Sequence, residues 1–307
     1  MALELTTLPP DRLGEWRAAA RDRLIAKEDA AGLRPGADAA EHVDRVLGQL
    51  DADDRRALSR VIEVSVDGGV QGTIWLVGVA GKTFVLDVDV PAATAGDLFP
   101  LIEEIARVDG ATSIALALHP TDAAGHALVA GRGFGLASIQ MLLDPVPVRA
   151  TDERVRVSAM TPERFVRFAD HSERAFADDL VASGRYSRAQ AVAESHRQIV
   201  LELPDGLETA GQSFFVATVD DEEVGFLWLG ARLRDDRPHA FVLDIEVAEP
   251  HRRRGYGRAL MLAAEREASA FAAESVGLHV FGFNAAAIEL YESLGYRRVE
   301  ESYYVDL

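Results

Sequence analysis

The 307-residue chain contains no cysteine, and this absence excludes several kinds of chemistry. Without thiols there is no disulfide, no iron–sulfur cluster and no cysteine-ligated zinc site. No stretch reaches 18 uninterrupted apolar residues, and the first residues lack a basic segment followed by an apolar run. We therefore expect a cytoplasmic protein without a membrane partner.

Positive charge is also scarce. The chain has 32 lysines and arginines against 50 aspartates and glutamates, so its formal net charge is -18. Binding to a nucleic-acid backbone requires a basic footprint, so we expect no nucleic-acid partner. The hydrophobic share of 48% is typical of a globular protein. A length about twice that of a usual single domain predicts two domains.

The histidines show no metal-ligand spacing. None of the eight lies in an H-E-x-x-H arrangement, so the sequence predicts no metal site. Asp170, His171 and Ser172 are the residue types of a hydrolase triad. However, neighbouring residues on a helix point about 100 degrees apart, so we expect no convergence of the three side chains.

The chain contains a hidden repeat. GTIWL precedes GFLWL by 153 residues, and FVLDVDV precedes FVLDIEV by 157. From Ser113 and Ser275 onward the offset is 162, so the first copy lacks five residues between Val90 and Leu98. The second copy carries HRRRGYGR at this place. We therefore expect a degenerate domain over residues 1–148 and a working domain over residues 149–307.

Each half has a mixed order of strands and helices. In the second half, SFFVATV, GFLWLGARL and HAFVLDIEV are β-rich runs, and VGLHVF and RRVEESYYVDL are two more. GRALMLAAEREASAFAAE and NAAAIELYESLG have helical spacing, and two further helices precede the sheet. This order predicts an α+β fold, a mixed arrangement in each half.

The turn HRRRGYGR is suited to an anion. A helix N-terminus presents backbone N–H groups without intrahelical partners, together with a partial positive charge. Gly255 and Gly257 remove the Cβ atoms that would hold a phosphate away, and three consecutive arginines add charge. The third glycine of a dinucleotide fingerprint and the lysine of a Walker loop are both missing. The turn therefore predicts a diphosphate site of another kind.

The pattern R-x-x-G-x-G from Arg252 to Gly257, followed by NAAAIELYESLGY, resembles the GNAT superfamily of N-acetyltransferases. The resemblance implies two tandem GNAT-like domains, each a mostly antiparallel mixed sheet flanked by helices. It also implies acetyl-CoA as cosubstrate. In the first half VPAATAGDLF replaces the loop, so we expect this half to be a degenerate domain without acyl-CoA binding.

The resemblance also implies catalytic roles. Tyr291 matches the tyrosine that commonly serves as general acid. Asp244 and Glu246 share one face of their strand, with Leu243, Ile245 and Val247 expected on the other face. Either carboxylate is a candidate for the base or for amine recognition, and Glu246 is preferred because it lies nearer the loop. Asp87 and Asp89 repeat this alternation in the first half, which weakens a purely catalytic interpretation.

The expected cofactor-binding residues fall into three groups. Backbone groups of Ile245 and Val247 are expected to pair with the pantetheine arm. Asn284 is expected to bind the same arm, although capping a helix explains it equally well. The diphosphate loop comprises Arg252, Arg253, Arg254, Gly255, Tyr256, Gly257 and Arg258.

The sequence thus predicts an N-acetyltransferase that transfers an acetyl group from acetyl-CoA to a primary amine by direct attack in a ternary complex. The alternative is a non-catalytic acyl-CoA sensor or interaction protein. The acceptor is a small-molecule or peptide amine, and the acidic strand favours a cationic one. Helices before the sheet, including RAFADDLVASGRYS, are expected to wall its pocket. A monomer that is a pseudo-dimer of two domains and a homodimer both remain open.

Overall fold

A computed structural model describes residues 2–48, 57–150, 154–184 and 186–307. The chain divides into two compact units. Unit 1 is Met1–Ile139 with Val299–Leu307, and unit 2 is Gln140–Arg298. The repeat placed a boundary near residue 148, whereas here the last residues of the chain belong to unit 1. The assignment of a degenerate and a working domain is a functional statement and stays a prediction.

The elements follow a similar order in the two halves. The first half contains β1 (Leu3–Thr7), α1 (Leu13–Ala31), α2 (Ala37–Leu47), β2 (Ala57–Val66), β3 (Gly69–Val79), β4 (Lys82–Asp89), α3 (Ala92–Ala95), α4 (Phe99–Val108), β5 (Ser113–Leu118), α5 (Ala123–Val129) and β6 (Gly135–Leu143). The second contains β7 (Arg156–Ala159), α6 (Pro162–Ala182), α7 (Arg188–Glu202), β8 (Gln212–Val219), β9 (Glu222–Arg234), β10 (Arg237–Val247), α8 (Tyr256–Ala270), β11 (Ser275–Phe281), α9 (Ala285–Ser293) and β12 (Arg297–Asp306).

The strands of each unit are mostly antiparallel and include one parallel pair. In unit 1 the strand order is β1-β2-β3-β4-β5-β12, and β4 and β5 are parallel. β12 runs antiparallel to β5, with Glu301 opposite Leu118. In unit 2 the order is β6-β11-β10-β9-β8-β7, and β10 and β11 are parallel. The predicted fold class is confirmed.

Helices cover both faces of the strands in each unit. In unit 1, Trp16 of α1 packs on Trp75 and Val77 on one face, whereas Ile102 of α4 joins the cluster on the other. In unit 2, Phe168 of α6 packs on Phe226 and Trp228. The opposite side of that unit holds α8, whose Leu260, Met261 and Ala264 are buried. Each unit therefore has its own apolar core.

The paired tryptophans Trp75 and Trp228 are buried at equivalent sheet positions, as a packing role predicts. The Trp75 indole N–H donates to Ser59 Oγ at 3.0 Å, and that of Trp228 donates to Gln212 Oε1 at 2.7 Å. A buried indole needs such an acceptor, because an unsatisfied N–H is costly. The repeat therefore extends to the polar partner of each ring.

A β-bulge in β10 changes which side chains share a face. Val242 lies opposite Leu229, but the next registered pair is Asp244 with Trp228, so Leu243 is the additional residue. Leu243 packs on the aromatic cluster that contains Phe168 of α6. Asp244 accepts a hydrogen bond from Ser172 of the same helix. The prediction that Leu243 shares the apolar face with Ile245 and Val247 was therefore wrong.

The same bulge recurs in β4. There Val85 lies opposite Leu76 and Asp87 opposite Trp75, which leaves Leu86 as the additional residue. Leu86 packs on the cluster around Trp16 of α1. A bulge places two neighbouring side chains on one face and increases the local twist. Both units thus direct an aspartate from the bulged strand toward their first long helix.

Two glycines allow the bulged strands to approach their neighbours. A Cβ on Gly225 would lie 2.3 Å from the carbonyl oxygen of Glu246, and one on Gly72 would lie 1.8 Å from that of Asp89. We expect Gly225→Ala to lower the free energy of unfolding by about 2–4 kcal/mol, because the clash is with backbone that cannot rotate away. Thermal and urea unfolding of the full chain measure this change.

Gly14→Ala is the matched control. Its added Cβ has no neighbour within 4 Å, and the residue lies inside α1. Alanine is the better helix former by about 1 kcal/mol, so this variant is expected to be as stable as the parent chain or more stable. Equal stability of the two variants would contradict the close-approach argument.

Candidate active site

Unit 2 contains a cavity of about 770 Å³ between its first two helices and its central strands. Six of the predicted catalytic and cofactor-binding residues lie in its wall: Asp244, Ile245, Glu246, Arg252, Asn284 and Tyr291. The segment RAFADDLVASGRYS contributes the opposite wall, as expected, through Phe176, Asp178, Asp179, Leu180, Ser183 and Tyr186. The bulged face of β10 is therefore the floor of a pocket.

The two parallel strands separate at this cavity. Their register runs from His239 opposite Ser275 to Val242 opposite Leu278, and within the described residues it ends there. β10 nevertheless continues to Val247, and β11 continues past Leu278. The backbone groups beyond the last pair face a gap. A ligand with amide groups along an extended arm can pair with them, as an added strand does.

The start of α8 follows the end of β10. Gly255 is the N-cap residue at a φ of 88°, and no side chain of the described residues caps the helix. Arg253 also has a positive φ of 64°. Arg252 is held back toward the strand, because its Nε donates to the carbonyl oxygen of Val247 at 3.0 Å. The first amides of the helix are thus left to an external acceptor, as an anion site requires.

The remaining predicted loop residues lie around this turn and outside the cavity wall. A Cβ on Gly257 would come within 3.2 Å of Leu290 Cδ2 and 3.9 Å of Val247 Cγ2. The turn is therefore packed closely between the end of β10 and α9. Arg253, Arg254, Tyr256 and Arg258 belong to the same turn and the first turn of α8.

The position of Asn284 agrees with both of its expected roles, helix capping and binding of the cofactor arm. It is the N-cap of α9, and its side-chain oxygen accepts the N–H of Ala287 at 3.3 Å. It also lies in the cavity wall. The cap uses one acceptor of the amide, which leaves the amide nitrogen available to the cavity.

Two residues on α6 reach the acidic strand, a contact that the strand and helix patterns did not predict. The Ser172 hydroxyl donates to Asp244 Oδ2, and His171 Nε2 lies 2.7 Å from Glu246 Oε2. The three residues from Asp170 to Ser172 form no triad, as expected. Instead, His171 and Ser172 each engage a different carboxylate of β10. The sequence signal for these contacts is that His171 and Ser172 lie one helical turn after Phe168, which is buried, and therefore on the same face of the helix.

Asp244 has a pKa suited to proton transfer. Burial raises the pKa of its carboxyl group to about 6, the Ser172 hydrogen bond opposes this shift, and the charge of Glu246 adds to it. A general base is most effective when its pKa lies near the working pH. Asp244 is ionised at neutral pH and still accepts a proton readily.

Tyr291 lies on the same cavity as a proton donor. Its ring is 6% exposed. Burial and, secondly, the negative charge of Asp244 raise its pKa to about 12. The phenol therefore stays protonated at neutral pH, and the influence of Asp244 places the two groups within electrostatic range of each other. One pocket thus holds a proton acceptor and a proton donor.

Asp179 adds negative charge to the wall formed by α6. Burial and the charges of Asp178 and Glu246 raise the pKa of its carboxyl group. Asp178 forms an exposed ion pair with Arg188. The acidic groups of the pocket therefore come from both the strand and the helix that face each other across it.

The corresponding turn in unit 1 is different. β4 is followed by the short helix α3, whose N-cap is Pro91, and then by α4, which begins at Phe99. The intervening sequence contains no arginine. This turn therefore lacks the positive side chains that surround the start of α8.

Two further features of the described residues concern metal binding and membrane spanning. Among the described residues, no group of three or more histidines, aspartates or glutamates is arranged to hold a metal ion. No described helix is both long and apolar enough to span a membrane.

Comparison with known proteins gives consistent matches. The acetyltransferase (GNAT) family model matches residues 175–296, which lie within unit 2. Two uncharacterized N-acetyltransferases of Bacillus subtilis (strain 168) are similar. YdgE is 30% identical over 138 residues, 45% of this chain and 88% of its own. YycN is 26% identical over 147 residues, 48% of this chain and 94% of its own.

A solved structure covers both units. A GCN5-related N-acetyltransferase from Sphaerobacter thermophilus aligns with a TM-score of 0.52 and 16% identity, covering 99% of this chain and 95% of that chain. At this identity the similarity concerns the fold alone. The family model and YdgE, which is 30% identical and aligns over 88% of its own length, show that the chain belongs to the GNAT family of acetyltransferases.

Proposed function

We propose that the chain is an N-acetyltransferase that uses acetyl-CoA and a primary amine and works in unit 2. The observation that carries this proposal is the cavity in which Asp244 and Tyr291 meet at the gap between β10 and β11. A carboxylate with a pKa of about 6 and a protonated phenol are the two proton-transfer groups that acetyl transfer to an amine requires.

The residues present fit acetyl-CoA. The uncapped start of α8, with its arginines and the left-handed Gly255, suits the diphosphate. The gap beyond Val242 and Leu278 suits the pantetheine arm, through backbone groups near Ile245 and Val247. Asn284 stands at the same gap with its amide nitrogen. When bound, acetyl-CoA supplies the activated acetyl thioester.

The protein residues divide the proton transfers between them. Asp244 takes one proton from the protonated amine, and the neutral nitrogen then forms the N–C bond as the C–S bond breaks. Tyr291 gives its proton to the departing sulfur and is restored by the second proton that nitrogen loses. One proton per turnover is released to solvent. Glu246, whose partner is His171, orients the amine rather than acting as the preferred base.

Direct attack requires both substrates to be bound together. We expect thiol release from acetyl-CoA to depend on an added amine, with intersecting initial-rate plots and an acetylated product detected by mass spectrometry. A ping-pong pattern would contradict the ternary complex. Saturable coenzyme A binding without turnover of any amine would support the sensor instead.

The turn before α8 gives a separate prediction. Gly255→Ala places a Cβ at a φ of 88°, which costs about 1–2 kcal/mol for a residue with a side chain. We expect the Kd for coenzyme A to rise about tenfold, because the turn relaxes and its amides lose their alignment. Isothermal titration of the full chain with coenzyme A measures this.

Gly211→Ala is the matched control. Gly211 has a similar φ of 77° just before β8, and its Cβ would meet only ordinary contacts with Ala231. The same strain is therefore introduced in unit 2 outside the cavity wall. Its coenzyme A affinity is expected to match that of the parent chain. Equal weakening in both variants would indicate a general loss of stability.

A further inference from the structure

Unit 1 has acidic residues that correspond to those of the cavity, and its own cationic side chains pair with them. Asp87 of β4 corresponds to Asp244 and is 5% exposed. Its two oxygens pair with cations from α1: Arg23 Nη2 at 2.6 Å and Lys27 Nζ at 2.9 Å. Arg23 also pairs with Asp89 at 2.8 Å. The carboxylates of this bulged strand therefore hold an ammonium and a guanidinium group.

The two long helices correspond residue by residue. Pro10 with Pro162 and Gly32 with Gly184 fix an offset of 152 around α1 and α6. At that offset buried Trp16 matches buried Phe168. Arg23 then corresponds to Ala175, and Lys27 corresponds to Asp179. Both cations that fill unit 1 are thus absent from the corresponding positions of unit 2.

A further carboxylate of unit 1 also contacts Lys27. Lys27 Nζ also contacts Asp122 Oδ2 at 3.2 Å, and Asp122 is the N-cap of α5. At the offset of 162 its counterpart is Asn284, the N-cap of α9. In unit 1 an ammonium group therefore lies between the bulged strand and the cap of the last helix. The counterparts of these two groups both line the cavity of unit 2.

We propose that the acceptor of unit 2 is an amine whose reacting ammonium group docks beside Asp244, where Lys27 lies beside Asp87 in unit 1, and whose far end carries positive rather than negative charge. This rests on the proposed acetyl transfer and specifies its substrate class. Asp179 contributes attraction from the helix, in the place where unit 1 has a lysine. The N-terminal unit thus carries an internal copy of the bound cation.

The charges favour this occupant. Among the described residues, Asp244 is held by the Ser172 hydroxyl and forms no ion pair. The charge of Glu246 raises the pKa of both Asp179 and Asp244, and the charge of Asp179 adds to the shift of Asp244. A cation relieves this repulsion beside the buried carboxyl group of Asp244, where charge interactions are stronger than in bulk solvent. An amine that also carries a carboxylate adds to the repulsion.

Three amines of equal chain length test the class. 1,4-Diaminobutane, n-butylamine and 4-aminobutanoate share the reacting amine and differ only in a cationic, neutral or anionic far end. We expect kcat/KM to fall in that order, with at least tenfold between the first and the last. Equal rates, or a preference for 4-aminobutanoate, would overturn the proposal.

A transferred lysine tests the position. Asp179→Lys introduces the residue of unit 1 at its counterpart, where its ammonium group can reach Asp244. We expect kcat/KM for 1,4-diaminobutane to fall at least 30-fold, and Asp179→Asn to reduce it about tenfold. Coenzyme A affinity, which is assigned to the turn before α8 and to backbone groups of the gap rather than to Asp179, is expected to stay within about twofold. Retained turnover in Asp179→Lys would overturn the proposal.

Asp170→Asn is the matched control. Asp170 lies on the same helix, is exposed, and pairs with Arg174 away from the cavity. This variant loses the same charge and is expected to keep the parental kcat/KM. A fall as large as that of Asp179→Asn would show that net charge, and not the docking position, sets the preference.

A binding measurement separates this inference from the proposed function. Calorimetric titration of the coenzyme A complex with 1,4-diaminobutane requires no turnover. Saturable binding that is lost in Asp179→Lys supports the cation site even if no amine is acetylated. Turnover of 4-aminobutanoate without binding of the diamine would preserve the acetyltransferase and reject the cation site.

Discussion

Replacing Tyr291 with phenylalanine is expected to lower kcat by a factor of about 10²–10⁴, the usual contribution of a positioned general acid. The ring lies in the cavity wall beside Asp244, and burial keeps its hydroxyl protonated with a pKa of about 12. Without that hydroxyl the departing sulfur has no donor from the protein. KM for the amine and the affinity for coenzyme A are expected to change little, because the apolar ring is retained.

Tyr296→Phe is the matched control for this prediction. Tyr296 is a second buried tyrosine, its ring centre lies 6.0 Å from that of Tyr291, and its hydroxyl has no hydrogen-bond partner among the described residues. It is not part of the cavity wall. We expect its kcat to stay within about threefold of the parent chain. Similar losses in both variants would indicate disturbed packing.

The pH profile provides a second measurement for Tyr291. Because its pKa is about 12, ionisation of this phenol is not expected to reduce kcat below pH 10. Any alkaline limb below that pH belongs to another group or to the amine. A parental kcat in Tyr291→Phe would show that water protonates the sulfur, and the role assigned here would then be wrong.

Much of the fold could be predicted because its signals are local. Apolar spacing and end signals located α8, α9 and the strands β8 to β11 within a few residues. The repeat predicted that the two halves would have the same element order. The sequence did not predict that the residues beyond Arg298, in the last strand, belong to unit 1. Strand pairing depends on contacts between segments far apart in the chain, and a single strand pattern does not specify its partner.

The candidate site was predicted only in part, because local sequence signals select residues without showing which of them face each other. Asp244, Glu246 and Tyr291 were selected, and the structure places all three at one cavity. We predicted which way these side chains face from a regular strand alternation. The bulge at Leu243 interrupts that alternation, and no residue near it in the sequence indicates a bulge. Ser172 and His171 on α6 were missed, because their contacts become visible only when the helix is laid across the strand.

The cationic residues of unit 1 show how a repeat adds information. Arg23 and Lys27 are ordinary helix residues in the sequence. Their role is indicated only by comparing α1 with α6 at an offset of 152. The residues of α6 that correspond to them carry no positive charge. Two copies of one fold, of which one is filled by its own side chains, indicate what the other can receive.

Replacing Asp244 with asparagine is expected to reduce kcat/KM by about 10²–10⁴, since the amine loses its proton acceptor. In the parent chain, kcat is expected to fall as the pH drops below about 6, where Asp244 becomes protonated. The variant should lose this limb. Initial rates with 1,4-diaminobutane between pH 5 and pH 9 measure both effects. An unchanged acid limb in Asp244→Asn would assign the base role to another group.

The same substitution is expected to raise stability at alkaline pH, and the sign follows from the pKa shift. Folding raises the pKa of Asp244 from 3.8 to about 6, so the neutral form is favoured in the folded state. The unfavourable effect is small below pH 4, grows between about pH 4 and pH 6, and is constant above that range. At pH 8 it amounts to about 1–3 kcal/mol, given about 1.4 kcal/mol per pKa unit and partial access to solvent.

Urea unfolding at pH 5 and pH 8 tests this expectation on the full chain. Asp244→Asn keeps a polar group beside Ser172 but has no charge to bury, so its advantage over the parent should be larger at pH 8 than at pH 5. Asp170→Asn, which changes an exposed carboxylate, should show no such difference. A variant that is inactive and more stable at alkaline pH means that the fold holds Asp244 for its chemistry, at a cost in stability. A variant that is less stable at both pH values would instead assign this carboxylate a structural role.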